Sequence, residues 1–254
     1  MKKDYARQYG DLQQWHWWFR GRRRIIETLL RQELPGDGPR RILSVGCGPG
    51  TGLAWLLPFA GARGKVVGLD IEELHARDLP AGVEFVVGAL EDAPLPDASF
   101  DAVLALDVLE HLDDDAAGLR QAARLVKPGG LLLVTVPALP SLWGGQDVVS
   151  EHRRRYTKPE LARLFERAAL PGSKVTYFNT LLFPLIAPVR WARRAAGLSQ
   201  RQRSDFEDGG PGLVNETLAR IFAAESHLIS RAPMPIGVSL VATYSPPHRA
   251  AVAG

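Results

Sequence analysis

The stretch Arg41-Ile-Leu-Ser-Val-Gly-Cys-Gly-Pro-Gly-Thr-Gly52 restricts the fold of this chain more than any other segment. A short apolar run enters a loop with glycine at positions 46, 48, 50 and 52, and a second apolar segment follows it. Glycine has no Cβ, so such a loop turns sharply, brings backbone N–H groups close to a ligand, and aims the next helix N-terminus at it. Phosphate, dinucleotide and adenosyl ligands are all held this way, and a tight strand-to-helix turn without a ligand gives the same pattern.

The rest of the chain supplies the sheet that such a loop needs. Apolar runs at 65–69, 83–87, 102–106 and 131–136 follow the first at 41–45, with helix-like segments at 52–59, 72–77 and 116–126 between them. That alternation predicts right-handed β-α-β units, a parallel sheet and helices on both faces. Lys127-Pro-Gly-Gly130 reads as a stop between helix and strand. Residues 11–34 read as one amphipathic helix, ended by Pro35-Gly36. Thr157-Lys-Pro-Glu160 reads as a capping box opening another helix, and 175–177 and 238–244 as late edge strands. Residues 200–212 are polar and glycine-rich and read as a mobile loop. The domain reading is an N-terminal helical lid over 1–36 and an α/β domain over 37–254, with a helical insertion at about 178–232.

Composition narrows the class. With 254 residues, 46% of them hydrophobic and a net charge of +3, the chain suits an ordinary globular core and lacks the cationic excess of a nucleic-acid binder. One cysteine, Cys47, permits no internal disulfide, which predicts a reduced, cytoplasmic protein. The start is polar, and the longest apolar run, 181–189, is short and holds two prolines, so at most peripheral membrane contact is expected.

Two spacings narrow the ligand. Asp70 ends the second strand about 20 residues beyond the glycine loop, where a carboxylate can chelate two ribose hydroxyls. Gly46, Gly48 and Gly50 are evenly spaced, unlike the dinucleotide fingerprint, and no Gly-Lys-Ser/Thr follows to make a phosphate loop. The segments ILSVGCGPGTG, VVGLD, LPDASFDAVLALDVLEHL and RLVKPGGLLLVTVP resemble, in order and spacing, those of class I S-adenosylmethionine-dependent methyltransferases, most of all the ubiquinone/menaquinone-biosynthesis-type, methyltransferase type 11-like branch. The resemblance covers about residues 40–137. A weaker one, in HWWFRGRRRII and EHRRRYTKPELARLFERAAL, extends to a subgroup acting in glycan, lipid or secondary-metabolite pathways.

The resemblance implies a Rossmann-like fold and S-adenosyl-L-methionine as the methyl donor. It implies Gly46, Cys47, Gly48 and Gly50 under the methionine and ribose, Asp70 on the ribose hydroxyls, and Ile71 against adenine. It also places Ala89 and Leu90 beside the adenine edge and the Leu106 carbonyl on the methionine amino group. Ser44 and Ala89 depart from the family, which usually has acidic residues there, and their loss predicts a weakened cofactor clamp.

For chemistry, His111 in Asp107-Val-Leu-Glu-His111 and His152 in Glu151-His-Arg-Arg-Arg-Tyr156 are the candidate bases. A helix-capping role explains His111 equally well. A cation held by Asp107, Glu110, His111 and His152 is a rarer reading of the same residues, and no metal is expected. Trp17, Phe19, Arg153 and Tyr156 are the candidate substrate contacts, with Trp15 and Trp18 in packing. Leu181–Arg194 reads as either an interfacial helix or a buried pocket wall. The expected activity is methyl transfer to a small apolar or amphipathic acceptor, a natural product, lipid-linked or glycan intermediate, with oxygen favoured as the acceptor atom. The alternatives are carbon or nitrogen methylation, or a cofactor-binding regulatory protein without turnover.

Overall fold

The computed structural model describes residues 12–34, 36, 38–48, 50–72, 79–199 and 210–248. Seven strands form one sheet: β1 (Arg41–Val45), β2 (Lys65–Asp70), β3 (Val83–Val87), β4 (Phe100–Leu106), β5 (Val126–Pro137), β6 (Lys174–Phe178) and β7 (Ser239–Tyr244). Their spatial order is β3-β2-β1-β4-β5-β7-β6. The first five pair in parallel, and β7 runs antiparallel between β5 and β6. Burial on both faces explains why the central strands read as unbroken apolar runs: four of the five β1 residues and all six β7 residues are buried. The order reverses at β1/β4, and in open α/β sheets a ligand crevice opens at that point beyond the strand C-termini.

The helices are α1 (Trp17–Glu33), α2 (Leu57–Ala60), α3 (Asp115–Leu125), α4 (Gly145–Val149), α5 (Lys158–Arg167), α6 (Phe183–Ala195), α7 (Leu213–Ala224) and α8 (Ser226–Ile229). The expected 11–34 helix is broken at His16, whose Nδ1 accepts from Trp18 N (3.2 Å) and caps α1. Ile25, Ile26, Leu29 and Leu30 bury one face of α1 against the β1, β2 and β4 side of the sheet. Gly21 lets α7 come close, since a Cβ there would collide with the Phe222 ring. The capping box at α5 forms as expected, with Thr157 N donating to Glu160 Oε2 (2.7 Å).

Two expectations need correction. Lys127-Pro-Gly-Gly130 is no break: β5 begins at Val126 and runs through it, with the β4–β5 register shifting between Phe100 and Ala102 and Gly129 at φ +75° absorbing the kink. The segment 52–59 is a 3₁₀ turn, Thr51–Leu56, leading into the single-turn α2 rather than one helix. The expected helix at 72–77 and most of the expected loop at 200–212 lie outside the described residues.

Candidate active site

The glycine loop leaves β1 and folds back on the end of β2. Gly46 N donates to the Leu69 carbonyl (2.8 Å), and Gly48 N donates to Asp70 Oδ2 (2.7 Å). Gly46, Gly48 and Gly50 have φ of +61°, +61° and +72°, the left-handed region that L side chains resist. A Cβ at Gly46 would lie 2.8 Å from Val108 Cγ2, so that glycine serves close packing. A Cβ on Gly48 would meet nothing within 4 Å, so that glycine faces open space. Asp70 also accepts from Glu72 N (3.2 Å), and burial raises its carboxyl above the ordinary value while these N–H bonds oppose the rise. Ile71, next to it, is 72% exposed among the described residues. Cys47 is half-buried, and burial next to Asp70 pushes its thiol up to about 12, which makes it inert.

Helix α1 and the residues just before it roof this loop. Between roof and floor lies a cavity of about 550 Å³, lined from below by Ser44, Gly46, Cys47 and Leu106 and from above by Gln13, Arg20, Arg22 and Arg23. Arg22 stacks over Trp18, 4.4 Å from the ring centroid, and pairs with Asp107. Asp107 follows β4 at φ +58° and is fixed by its N–H to the Thr135 carbonyl (3.0 Å) and by Thr135 Oγ1 (3.2 Å from Oδ1). The roof therefore carries several arginines against the one Glu27 carboxylate, and the floor, at Ser44, is neutral.

Beyond β4 and β5, two loops are stitched together. Arg153 N donates to the Glu110 carbonyl (2.9 Å), Arg153 Nε to the His111 carbonyl (2.7 Å), and Tyr156 N to the Pro137 carbonyl (3.0 Å). This stitching brings His111 and His152 edge to face, with ring centroids 4.9 Å apart. His152 Nδ1 lies 2.9 Å from Asp147 Oδ1, and its Nε2 lies 3.9 Å from Glu110 Oε1. Glu110 is fully buried, and neither carboxyl oxygen has a hydrogen-bond partner among the described residues. Burial, then the Asp107 and Asp147 charges, raise its carboxyl well above the usual range. Burial and the neighbouring His152 lower His111 to about 4, leaving it a neutral imidazole. One ligand atom each from Glu110, His111 and His152 lie within 4.8 Å of one another, but Asp107, the fourth member of that set in the sequence, is engaged by Arg22.

The expected site residues divide accordingly. Ser44, Gly46, Cys47 and Leu106 border the cavity; Asp70 ends β2 and is tied to the glycine loop through Gly48 N, with Ile71 next to it in the chain. Ala89 follows the end of β3; Leu90 turns its side chain into the core, so only its backbone is available to a ligand. His111 and His152 are brought together. Arg153 pairs with Asp113 at the surface. Trp17 is part-buried, packs on Phe222 (6.0 Å between ring centroids) and donates its backbone N–H to Asn215 Oδ1 (2.8 Å). Phe19 is buried with an edge on the cavity. Tyr156 is a correction, being buried with its hydroxyl on Asp115 Oδ2 (3.1 Å) and the Leu109 carbonyl (3.3 Å); burial and the Asp115 charge raise its phenol well above the ordinary value. Its aromatic ring fills the core, as a tyrosine at the end of a basic run often does not. The sequence reading passed over Arg22 and Asp147. Arg22 carried a faint signal in the Arg20–Arg24 cluster, and Asp147 carried none.

Comparison with known proteins adds the family. Residues 43–134 match the methyltransferase domain family model. A Mycolicibacterium smegmatis protein named "Probable S-adenosylmethionine-dependent methyltransferase" is 34% identical over 158 residues, 60% of this chain and 59% of that one. A ubiquinone biosynthesis O-methyltransferase of Xanthomonas campestris is 35% identical over 139 residues, 52% of this chain and 56% of its own. The chain thus spans less than two thirds of the length of these relatives. Among solved structures, a chain from the complex of the Haloferax volcanii Trm112 methyltransferase activator with a methyltransferase superposes at TM-score 0.60, with 18% identity over 97% of this chain and 96% of that one. The [4+2]-cyclase SpnF superposes at 0.53, with 19% identity over 88% and 81%. Residues 43–134 are a methyltransferase domain, similar to S-adenosylmethionine-dependent enzymes, and the described residues have the fold of these solved structures.

Proposed function

We propose that this protein transfers a methyl group from S-adenosyl-L-methionine to a hydroxyl of a small amphipathic acceptor. The observation that carries this reading is the cavity between glycine loop and arginine roof, together with the Asp70 carboxylate bound to the Gly48 N–H of the same loop. The residues present fit the methyl donor: Gly48 faces open space, Asp70 offers carboxylate oxygens for ribose hydroxyls, and exposed Ile71 offers an apolar face for adenine. The Leu106 carbonyl would take the methionine amino group, and the Arg22 guanidinium in the roof would take its carboxylate. That division also accounts for Ser44. Where the roof supplies the charge, a small neutral floor residue leaves the cofactor's carboxylate unopposed.

The donor supplies an electrophilic methyl on a sulfonium, and transfer to a nucleophile in line with it needs no covalent intermediate on the protein. What the chain must add is alignment, exclusion of water and, for a hydroxyl, acceptance of its proton. His152 is the group placed for that last task, with the His111 ring edge to face against it and the buried Glu110 carboxyl, raised above its usual range, beside its Nε2. A base of this kind supports oxygen over an amine, which attacks through its own lone pair. The similarity to a ubiquinone biosynthesis O-methyltransferase supports the same choice.

An amphipathic, lipid-linked acceptor is supported by α6. It follows β6 and ties to the loop beyond β5 through Arg190 to the Leu142 carbonyl (2.8 Å) and Arg194 to the Pro140 carbonyl (2.9 Å). Only Ala187 of its thirteen residues is buried, while Leu185, Val189 and Trp191 face outward. Arginines beside an outward apolar face suit peripheral contact with a membrane. No helix among the described residues is long and apolar enough to cross one. The thiol in the glycine loop and the intracellular source of the donor support a cytoplasmic setting. Titration calorimetry with S-adenosylhomocysteine tests the donor half, with micromolar binding expected; no heat and no protection against thermal unfolding would sink the enzyme reading. Binding without methyl transfer to any hydroxyl, amine or carbon acceptor would leave the non-catalytic alternative.

A further inference from the structure

Behind His152 stands a charged group that the methyl-transfer reading has not used. Asp147, on the short α4, is fully buried, and its Oδ1 receives two contacts: Arg155 Nε at 2.7 Å and His152 Nδ1 at 2.9 Å. Its Oδ2 accepts from Gly144 N at 2.8 Å, and Arg190 lies 3.7 Å away. Burial opposes its charge, but the His152 contact and the Arg155 and Arg190 cations hold its carboxyl well below the usual range. A buried carboxylate is acceptor-only, so an imidazole nitrogen at 2.9 Å from it must carry the proton. The backbone enforces the same geometry, since His152 N donates to the Asp147 carbonyl (2.9 Å).

We propose that Asp147 is a positioning residue for proton transfer: it locks His152 as the Nδ1–H tautomer and leaves the Nε2 lone pair turned toward Glu110 and His111, where an acceptor hydroxyl would lose its proton. Arg155 keeps the aspartate ionised and pins it to the Ala138 carbonyl at the end of β5 (2.8 Å). His152 then works with a fixed ring and a fixed tautomer, the arrangement that a carboxylate behind a catalytic imidazole provides in other enzymes. The inference rests on the methyl-transfer reading for its purpose but on this geometry for its content.

The test is ¹⁵N-histidine NMR on the full chain saturated with S-adenosylhomocysteine. In the wild type His152 is expected as the neutral Nδ1–H form; an Nε2–H form, or an even mixture, overturns the proposal without touching donor binding. Asp147→Asn can present its amide NH₂ to Nδ1 and is expected to shift His152 to Nε2–H. Its S-adenosylhomocysteine affinity is expected within about twofold of wild type, which also shows that it has folded. With octyl gallate as the phenolic acceptor, kcat is expected to fall on the order of a hundredfold or more at unchanged KM. Asp147→Asn combined with His152→Ala should be no slower than His152→Ala alone. Loss confined to KM, or additive loss in the double variant, would reduce Asp147 to a fold element. Asp147→Glu, which retains the acceptor and ionic pairing, provides the rescue arm: Nδ1–H retained and part of kcat recovered.

Discussion

The donor half of the crevice and the acceptor half are built from different materials. Around the glycine loop the working groups are main-chain N–H groups and one carboxylate within 41–72 of the chain, joined by the Leu106 carbonyl and the Arg22 guanidinium from elsewhere. Around His152 they are side chains from three separate places, Glu110 and His111 after β4, Asp147 on α4, and His152 and Arg155 beyond it. A backbone site depends on φ angles and on the absence of Cβ atoms, so it tolerates few residues but needs no distant partner. A buried side-chain site depends on every member being paired, and removing one leaves another uncompensated.

That contrast can be broken from the donor side first. Asp70→Ala removes the ribose acceptors and the anchor of Gly48, and S-adenosylhomocysteine affinity is expected to fall on the order of a hundredfold, measured by calorimetry, with hydrogen bonds to a charged group at about 1.5–3 kcal/mol each. Arg22→Ala should cost about tenfold in the same titration by removing the roof cation, and it frees Asp107. Ser44→Asp should change affinity by less than about threefold, because the roof arginines then compete with the cofactor for the new carboxylate. A large gain from Ser44→Asp would return the charge of the clamp to the floor. On the acceptor side, Leu185→Ser with Val189→Ser should weaken sedimentation with phosphatidylglycerol vesicles severalfold and leave thermal stability within about 0.5 kcal/mol, since both side chains are exposed.

The smallest effect is in pH. His111 titrates near 4 in the folded chain and near 6.5 when unfolded, so between these values the unfolded state binds more protons. Its contribution to stability is therefore intact above about 6.5 and declines as pH falls toward 4. Thermal melts across that window should show the decline, and His111→Gln should flatten it. His16, lowered to about 4 by burial, adds a second decline in the same window, which His111→Gln leaves in place.

The strands were legible because each is a short apolar run bounded by turn residues, and β1, β2 and the capping box of α5 stand where the pattern puts them. Lys127-Pro-Gly-Gly130 misled because local turn propensity points to a break, while β5 pairs with β4 on both sides of it, at Val126 and from Leu131, and Gly129 N donates to the Pro246 carbonyl (2.8 Å) in between. Tyr156 misled because the basic run it ends pointed to a substrate contact, and its hydroxyl found Asp115 instead. The histidine pair was visible as two residues worth watching, but neither its contact nor its aspartate could be read along the chain.

Sequence alone therefore determined the donor half: glycines at 46, 48 and 50 and an aspartate at 70 act through local backbone geometry, which a linear pattern encodes. Only the tertiary structure decided the acceptor half and the roof. Arg22 reaches Asp107 across 85 positions, and Tyr156 bonds to Asp115 across 41. Asp147 and His152 are close in sequence, but burial and the Arg155 and Arg190 cations, which only the assembled fold supplies, turn that proximity into a fixed, charged pair.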